Sequence, residues 1–429
     1  MRALLHLAAH SAWNRRATLL LVVLSVALAS FLLLSLERMR SSVRSSFSQS
    51  VSGTDLVLGA RTGSVQLMLY AVFHIGAATN NIRIDSVRAI GQHRAVQWIV
   101  PLSLGDSHHG MPVLGTTPEY FTRFQYGERT ALQLAQGRAF AGTLDGLYEA
   151  VLGAEVAGAL GYTLGQSLTL SHGSGPAGTS AGLEPEHDDK PFSVVGILAR
   201  TGTPVDRTVH VSLEAIEALH LEWAGGAPMP GLKIPADQAR KFDLAPKRVT
   251  AALIGLKSRA AVFAVQRHIA EFGDEPLLAV LPGVALDELW DVVGIGEKAL
   301  LGMSAMVALV SLAGLIAVVL AGLNERRREL AVLRAVGAGP RHIAALLAVE
   351  GSLIVLIGVG LGALLSVAFI AAAGPWVQSR FGITLRLSAP TLSQCLLLGA
   401  IVASGLLASL VPGWRAYRLS LADGLSPKS

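Results

Sequence analysis

Four long apolar runs divide the chain. Ala17 to Leu36 holds twenty residues without a charge. Ala299 to Leu323 is a second run, Ile343 to Ala373 a third with Glu350 as its single charge, and Thr391 to Val411 a fourth. About 20 apolar residues cross the roughly 30 Å hydrocarbon core of a bilayer as a helix. Each run therefore predicts a transmembrane helix, over 17–36, 299–323, 343–373 and 391–411, and the third is long enough to tilt or project. Ala27-Leu28-Ala29 has the pattern of a signal-peptide cleavage site. The apolar run continues through Phe31-Leu32-Leu33-Leu34 beyond it, which a cleaved core of about 7–15 residues does not need, so the run reads as a retained span.

Between the first two spans lie residues 37–298, with a mixed pattern. Asp55–Leu58, Ala95–Pro101, Val113–Gly115, Ser167–Leu170, Phe192–Leu198, Val209–Val211 and Arg248–Leu256 read as strands. Met39–Ser52, Gln66–Phe73, Glu149–Leu160, Leu213–His220 and Ala260–Phe272 have helical spacing, and Asp287–Lys298 predicts a helix running into the second span. Gly173–Lys190 and Gly225–Lys233 carry the composition of loops. The fold class expected is a membrane protein with four transmembrane helices, one before and three after an inserted α+β extracytoplasmic domain. Residues 1–16 place Leu4, Leu7 and Ala8 on one helical face and predict an interfacial helix. Residues 374–390 form a short outer loop, and Pro412-Gly413-Trp414 is expected to end the last span and open the tail 412–429.

Composition agrees with this division. The chain is 52% hydrophobic and 15% charged, with a mean hydropathy of +0.51, where soluble chains are about a quarter charged. Residues 37–298 hold 22 Lys and Arg against 26 Asp and Glu, leaving 13 against 4 elsewhere. The 324–342 loop has five arginines and two glutamates. Short loops rich in Lys and Arg stay cytoplasmic, which puts this loop and both termini inside and the large domain outside. Arg38, Arg40 and Arg44 point the other way, but long domains translocate largely regardless of charge. The one cysteine, Cys395, falls in the fourth span, so the large domain must be held by its own core.

No GxxxxGK[ST] loop occurs. Gly358-Val359-Gly360-Leu361-Gly362 lies in the third span without the strand and lysine a nucleotide cradle needs, and its small residues read as close helix packing. Nine histidines fall in the large domain, His108 and His109 adjacent. Adjacent side chains diverge within a strand or helix, so this pair reads as a solvated loop, as does the acidic Glu184–Asp189 stretch. No spacing indicates a catalytic site, a resident cofactor, a metal-ligand set or a nucleic-acid partner. Ionisable residues sit only at span edges, which disfavours a secondary transporter with coupling groups at mid-depth.

The stretch ERRRELAVLRAVGAGPRHI, Glu325 to Ile343, carries more information. Asn324 to Val336 has helical spacing, with Leu330, Ala331 and Leu333 on one side and Arg326, Arg327 and Glu329 elsewhere. Gly337-Ala338-Gly339-Pro340 breaks the helix with Gly past one helix end and Pro at the next start. A plain positive-inside anchor needs neither an amphipathic helix nor this turn, so the stretch reads as a docking surface.

Glu325, Glu329, Leu330, Leu333, Arg334, Ala335, Val336, Gly337 and Ala338 resemble the post-span signature of the FtsX/MacB-like permeases of the ABC superfamily, the LolC/LolE-like members included. Pro412 to Leu419 with Ala422 and Leu425 is similar to the family's C-terminal ending, with Leu421 where proline is expected. Val113–Phe121, Ala150–Gly153 and Val194–Ile197 resemble its periplasmic core domain. The resemblance implies a non-catalytic inner-membrane subunit driven by a separate cytoplasmic ATPase in two copies. The permease itself would pair as a homodimer or pseudo-symmetric heterodimer, and a periplasmic adaptor or binding protein would assist it. ATP-driven closure would pass through the helices to the periplasmic domain, with Glu325, Arg326, Arg327, Glu329, Leu330, Leu333, Arg334, Gly337 and Ala338 coupling to the ATPase. Two other readings keep the same machine: a metal-linked, zinc-handling system, toward which Asp55–Arg61, Thr79–Ile82 and Thr201–Arg207 point by resemblance to a subgroup, and signalling to a cell-wall hydrolase.

Overall fold

The computed structural model describes residues 16–76, 78, 80–172, 189–224, 227–228, 234–325, 335, 337–381 and 390–418. The interfacial helix expected over 1–16 and the acidic stretch Glu184–Asp188 lie essentially outside these residues. The chain divides into two compact units. One comprises 1–42, 293–377 and 385–429, the other 43–292 and 378–384.

The first unit is built on four long helices, α1 (Arg16–Gln49), α2 (Pro282–Glu325), α3 (Pro340–Phe381) and α4 (Leu392–Arg418). Each contains a segment long and apolar enough to cross a membrane: Leu19–Ser42, Pro282–Gly314, Arg341–Val377 and Leu392–Val411. All four helices outrun their apolar runs, and two of them do so through a proline. The third continues through Pro375 to Phe381, and the fourth continues through Pro412 to Arg418 instead of stopping there. A proline removes one N–H from the ladder, and helices in a membrane protein tolerate that loss where neighbouring groups take up the freed carbonyl.

The second unit is a mixed sheet covered on both faces. Its main path comprises β1 (Leu56–Ala60), β2 (Val96–His108), β3 (Met111–Thr116), β4 (Leu134–Gly137), β5 (Glu149–Leu152), β6 (Phe192–Leu198), β7 (Val209–Ser212), β8 (Ala251–Leu256) and β9 (Leu277–Val280). Their spatial order is β9-β1-β8-β2-β3-β7-β5-β6-β4, with two short strands off the path. β3 with β7 and β5 with β6 run parallel, while β1 pairs antiparallel with β8, Leu56 opposite Ile254, and with β9, Val57 opposite Val280.

Burial on both faces explains why β1 and β8 read as continuous apolar runs rather than alternating ones. Leu56, Leu58 and Ile254 pack with Ile90, Val265 and Ile269 from helices Ile84–Gly91 and Val262–Ala270. Val57 and Leu253, on the other face, pack with Leu67, Met68 and Tyr70 from helix Ser64–Ala71. The far half of the sheet holds Val113, Leu152, Val194 and Val211 against Val156, Ala215 and Leu219. The core also takes in Lys190, fully buried, whose Nζ donates to Glu222 Oε1 at 2.7 Å and lies 3.4 Å from Asp189 Oδ2.

The expected helix Glu149–Leu160 is a strand followed by a helix. Residues 149–152 form β5, Gly153 is extended, and the helix is only Ala154–Leu160. A Cβ at Gly153 would stand 2.2 Å from Val205 O. Its backbone angles are open to any residue; glycine is required because the 205–206 backbone leaves no room for a side chain.

Candidate functional site

Gly337 has φ +102 and is followed by Pro340, the first residue of α3. His342 N then donates to Gly339 O at 3.0 Å. This is the glycine-then-proline turn expected from the sequence, and the positive φ is what restricts position 337 to glycine. Glu325 ends α2, Ala335 is helical, and Ala338 and Gly339 complete the turn. Arg326, Arg327, Glu329, Leu330, Leu333 and Arg334 lie outside the described residues.

Within the four-helix unit, α1 packs on α3 through glycine. A Cβ at Gly358 would meet Val26 Cβ at 2.8 Å, and one at Gly362 would meet Ala27 O at 2.5 Å. Gly358 and Gly362 are four apart and share a helix face, the spacing that lets helix backbones approach in membranes. At Gly360 a Cβ would meet nothing within 4 Å. α4 closes on α3 in the same manner, with Gly351 against Ser409 and Gly405 against Val355. Val22, Val26, Ile354, Val355, Val359 and Ala408 fill the seam. Polar contacts within the seam come from hydroxyls: Ser35 Oγ donates to Ser366 Oγ at 3.1 Å, and Ser311 Oγ to Ser25 O at 3.2 Å.

One ionic cluster sits toward the large-domain ends of these helices. Arg40 Nε donates to Glu297 Oε2 at 2.8 Å and Arg40 Nη1 to Glu37 Oε2 at 3.2 Å, while Ser393 Oγ donates to Glu37 Oε1 at 3.0 Å. Glu37 is 7% exposed. The cluster ties α1 to α2 and α4. Sequence reasoning saw Arg40 only as a charge against the expected orientation. Glu37 and Arg40 at i,i+3 were the available signal, but Glu297 could not be paired from sequence.

In the sheet unit the Thr201–Arg207 motif is a closed loop. Asp206 accepts from Thr201 N at 2.8 Å, Gly202 N at 2.7 Å and Thr201 Oγ1 at 2.8 Å. Burial raises the Asp206 carboxyl above its ordinary range against these three donors.

Two of the described histidines are held by hydrogen bonds at separate places in the sheet unit. His108 is hydrogen-bonded at Nδ1 to Thr169 O, 2.6 Å, and at Nε2 to Tyr162 Oη, 3.1 Å. His220 Nδ1 bonds to Ile216 O at 2.8 Å and Nε2 lies 3.4 Å from Asp106. Burial opposes the charge on His220, and the Asp106 carboxylate outweighs it and raises the pKa. Among the described residues no three His, Cys, Asp or Glu side chains gather as for a metal ion.

Two family models match. The MacB-like periplasmic core domain covers residues 17–272 and the FtsX-like permease C-terminal domain covers residues 301–421. The chain belongs to the FtsX/MacB-like family of ABC transporter permeases. It is a multi-pass membrane protein with a large extracytoplasmic domain, of a family of non-catalytic transmembrane subunits, and membership implies an ATPase partner. No curated protein sequence matches the permease. Among solved structures it is similar to the periplasmic region of MacB from Actinobacillus actinomycetemcomitans, at 12% identity and TM-score 0.33, over 56% of this chain and 94% of that one. It is also similar to the extracellular domain of the noncanonical ABC-type transporter YknZ from Gram-positive bacteria, at 12% identity and TM-score 0.29, over 53% and 99%.

The permease's extracytoplasmic domain carries an acid-sensitive pair. His210, in β7, is buried with Nδ1 3.2 Å from Val151 O and Nε2 without a hydrogen-bond partner among the described residues. His74 bonds Thr208 Oγ1 at 3.0 Å. Desolvation lowers His210 to about 3 and His74 to about 4. The unfolded chain therefore binds more protons below about pH 6.5, the ordinary histidine value. Stability is full above that pH and falls as pH drops toward 4, by about 1.4 kcal/mol per pH unit for each proton. His74 has φ +54, a region asparagine tolerates. His74→Asn is expected to keep the fold and flatten the decline of unfolding free energy between pH 6 and 4.5 by about one proton; an unchanged slope in urea titrations would sink this assignment.

Proposed function

We propose that this permease couples ATP hydrolysis by a separate cytoplasmic ATPase, present in two copies, to conformational change in its extracytoplasmic domain. The result is export or relocation of a substrate handled outside the bilayer. The observation that carries this reading is the chemistry of the span interior. Among the described residues, the buried polar side chains of the four-helix unit are serines, Gln394 and Glu37, and Glu37 is tied to Arg40 and Ser393 at one end. A secondary transporter places its coupling groups near the midplane, whereas a machine that transmits force needs only stiff, closely packed helices. The 44-residue α2, about 66 Å long at 1.5 Å per residue, suits that role.

In this reading Glu325 to Ala338 is the ATPase-docking element. Arg334→Glu combined with Gly337→Pro is expected to abolish co-purification of a P-loop ATPase with the tagged, full-length permease and to leave membrane insertion unchanged. Proline's φ near −65° is incompatible with +102° at position 337. Undiminished co-purification with normal ATPase stimulation would remove the docking assignment.

A further inference from the structure

Within the sheet unit, a cavity of about 800 Å³ opens between the last turns of α1 with the segment after it and the first turns of α2. Ligand pockets for small molecules run from about 300 to 1,000 Å³. One wall is apolar, made by Val262, Leu281, Val284, Leu286 and Trp290. Val284 is 60% exposed and Leu286 is buried, so the wall runs from the core to open space at Val284. The rim is cationic, with Arg44, Arg129 and Arg259 against Asp55 and Asp287. A smaller recess of about 420 Å³ shares Asp55, Arg129 and Arg259 with the cavity and adds Arg123 and Lys257 beside Gln97 and Gln125. The two recesses together carry five cations against two carboxylates, with Arg129 and Arg259 at their junction.

The carboxylates do not satisfy all of this charge. Arg259 Nε lies 3.5 Å from Asp55 Oδ1, and Arg44 Nη2 lies 3.8 Å from Asp287 Oδ1. Asp55 Oδ2 is already taken by Leu256 N at 2.8 Å. Arg129 has no ion-pair partner among the described residues, and its backbone is held at φ +62, a conformation that is costly for a residue with a side chain and that recurs at functional sites. A guanidinium fork fits phosphate and carboxylate oxygens in pairs.

We propose that this cavity binds an anionic amphiphile, its acyl chain on the Val284–Trp290 wall and its phosphate or carboxylate headgroup held by Arg129 and Arg259. Along the chain the site lies beside both neighbouring spans: Arg44 is eight residues past Leu36, and Trp290 is nine before Ala299. The assignment rests on the reading of this chain as a permease whose substrate is handled outside the bilayer, and it supplies the class of that substrate.

The test uses the full-length permease in phosphatidylcholine nanodiscs without ATPase, so binding is read independently of coupling. Dioctanoyl phosphatidic acid, dioctanoyl phosphatidylcholine and inorganic phosphate are titrated by calorimetry. Saturable binding of the phosphatidic acid is expected, at least tenfold tighter than the phosphatidylcholine, with no saturation by inorganic phosphate. Arg129→Gly removes the charge while relieving the backbone, and Arg259→Gln removes the second cation; each is expected to weaken phosphatidic acid binding about tenfold. Val284→Asp, on the exposed wall, is expected to weaken it as strongly. Equal binding of the two lipids, equal binding of inorganic phosphate, or undiminished binding in Arg129→Gly would overturn the proposal. Loss of ATPase coupling in Arg334→Glu/Gly337→Pro with lipid binding intact would leave this site standing apart from the docking element.

Discussion

Leucine at position 362 is expected to separate α3 from α1, while leucine at position 360, two residues away, leaves the permease unchanged. A Cβ at Gly362 would stand 2.5 Å from Ala27 O, 2.7 Å from Ser30 Cβ and 3.0 Å from Phe31 N. Two of these neighbours are backbone atoms, which cannot rotate away, so the helices themselves must part. Parting also strains the Ser35–Ser366 hydrogen bond and the Phe31–Phe369 edge contact, whose centroids lie 5.6 Å apart. Overpacking a fitted interior costs about 1–3 kcal/mol and occasionally more, and a backbone clash belongs at the upper end. Gly360 faces open space. In thermal unfolding of the solubilised permease, Gly362→Leu should lower the midpoint by several degrees and Gly360→Leu should not. Equal midpoints for the two variants would show that the seam is not where the structure places it.

Removing Glu222 is expected to be the most damaging single change in the extracytoplasmic domain. Its Oε1 accepts from Lys190 Nζ at 2.7 Å and from Ile234 N at 2.7 Å. Lys190 is fully buried, and its other neighbour, Asp189, is 31% exposed and 3.4 Å away. Glu222→Ala strands an ammonium inside the domain with only that weaker partner, and breaking a buried pair on one side costs about 3–5 kcal/mol. Lys190→Met in the same background removes the stranded charge and should recover most of the loss, because apolar replacement of a whole buried pair is often neutral. Urea unfolding of wild type, single and double variants measures the difference. A double variant no better than Glu222→Ala would mean that the loss comes from the Ile234 contact and not from the buried charge.

The four apolar runs were legible because membrane spanning is a property of length and composition alone. The strand within Arg248–Leu256 was legible for a related reason: burial on both faces of Ala251–Leu256 writes a continuous apolar run. The Gly337 turn was also readable, since glycine and proline state their backbone requirements locally. Glu149–Leu160 was misread because its Ala, Val, Leu and Glu content suits a helix, whereas Val151 and Leu152 are recruited into the sheet by His210 and Val209, which are distant in sequence. The Arg40–Glu297 contact joins residues 257 positions apart. The cationic cavity draws on separate stretches around residues 44, 53, 129, 259 and 286, and no motif spans them. Pairings of this kind are set by topology, and topology is what a single sequence specifies least directly.

The position of β1 also imposes an order on biogenesis. Leu56 and Val57 are made early, yet their sheet partners Ile254 and Val280 are made about 200 residues later. At roughly 5–20 residues per second of synthesis, the apolar segment Leu56–Ala60 waits on the order of 10–40 s before either edge can be covered. Nearly the whole domain must cross the bilayer before its sheet can close. During that interval the nascent strand is an open template for aggregation, a hazard that the stability of the finished sheet does nothing to relieve.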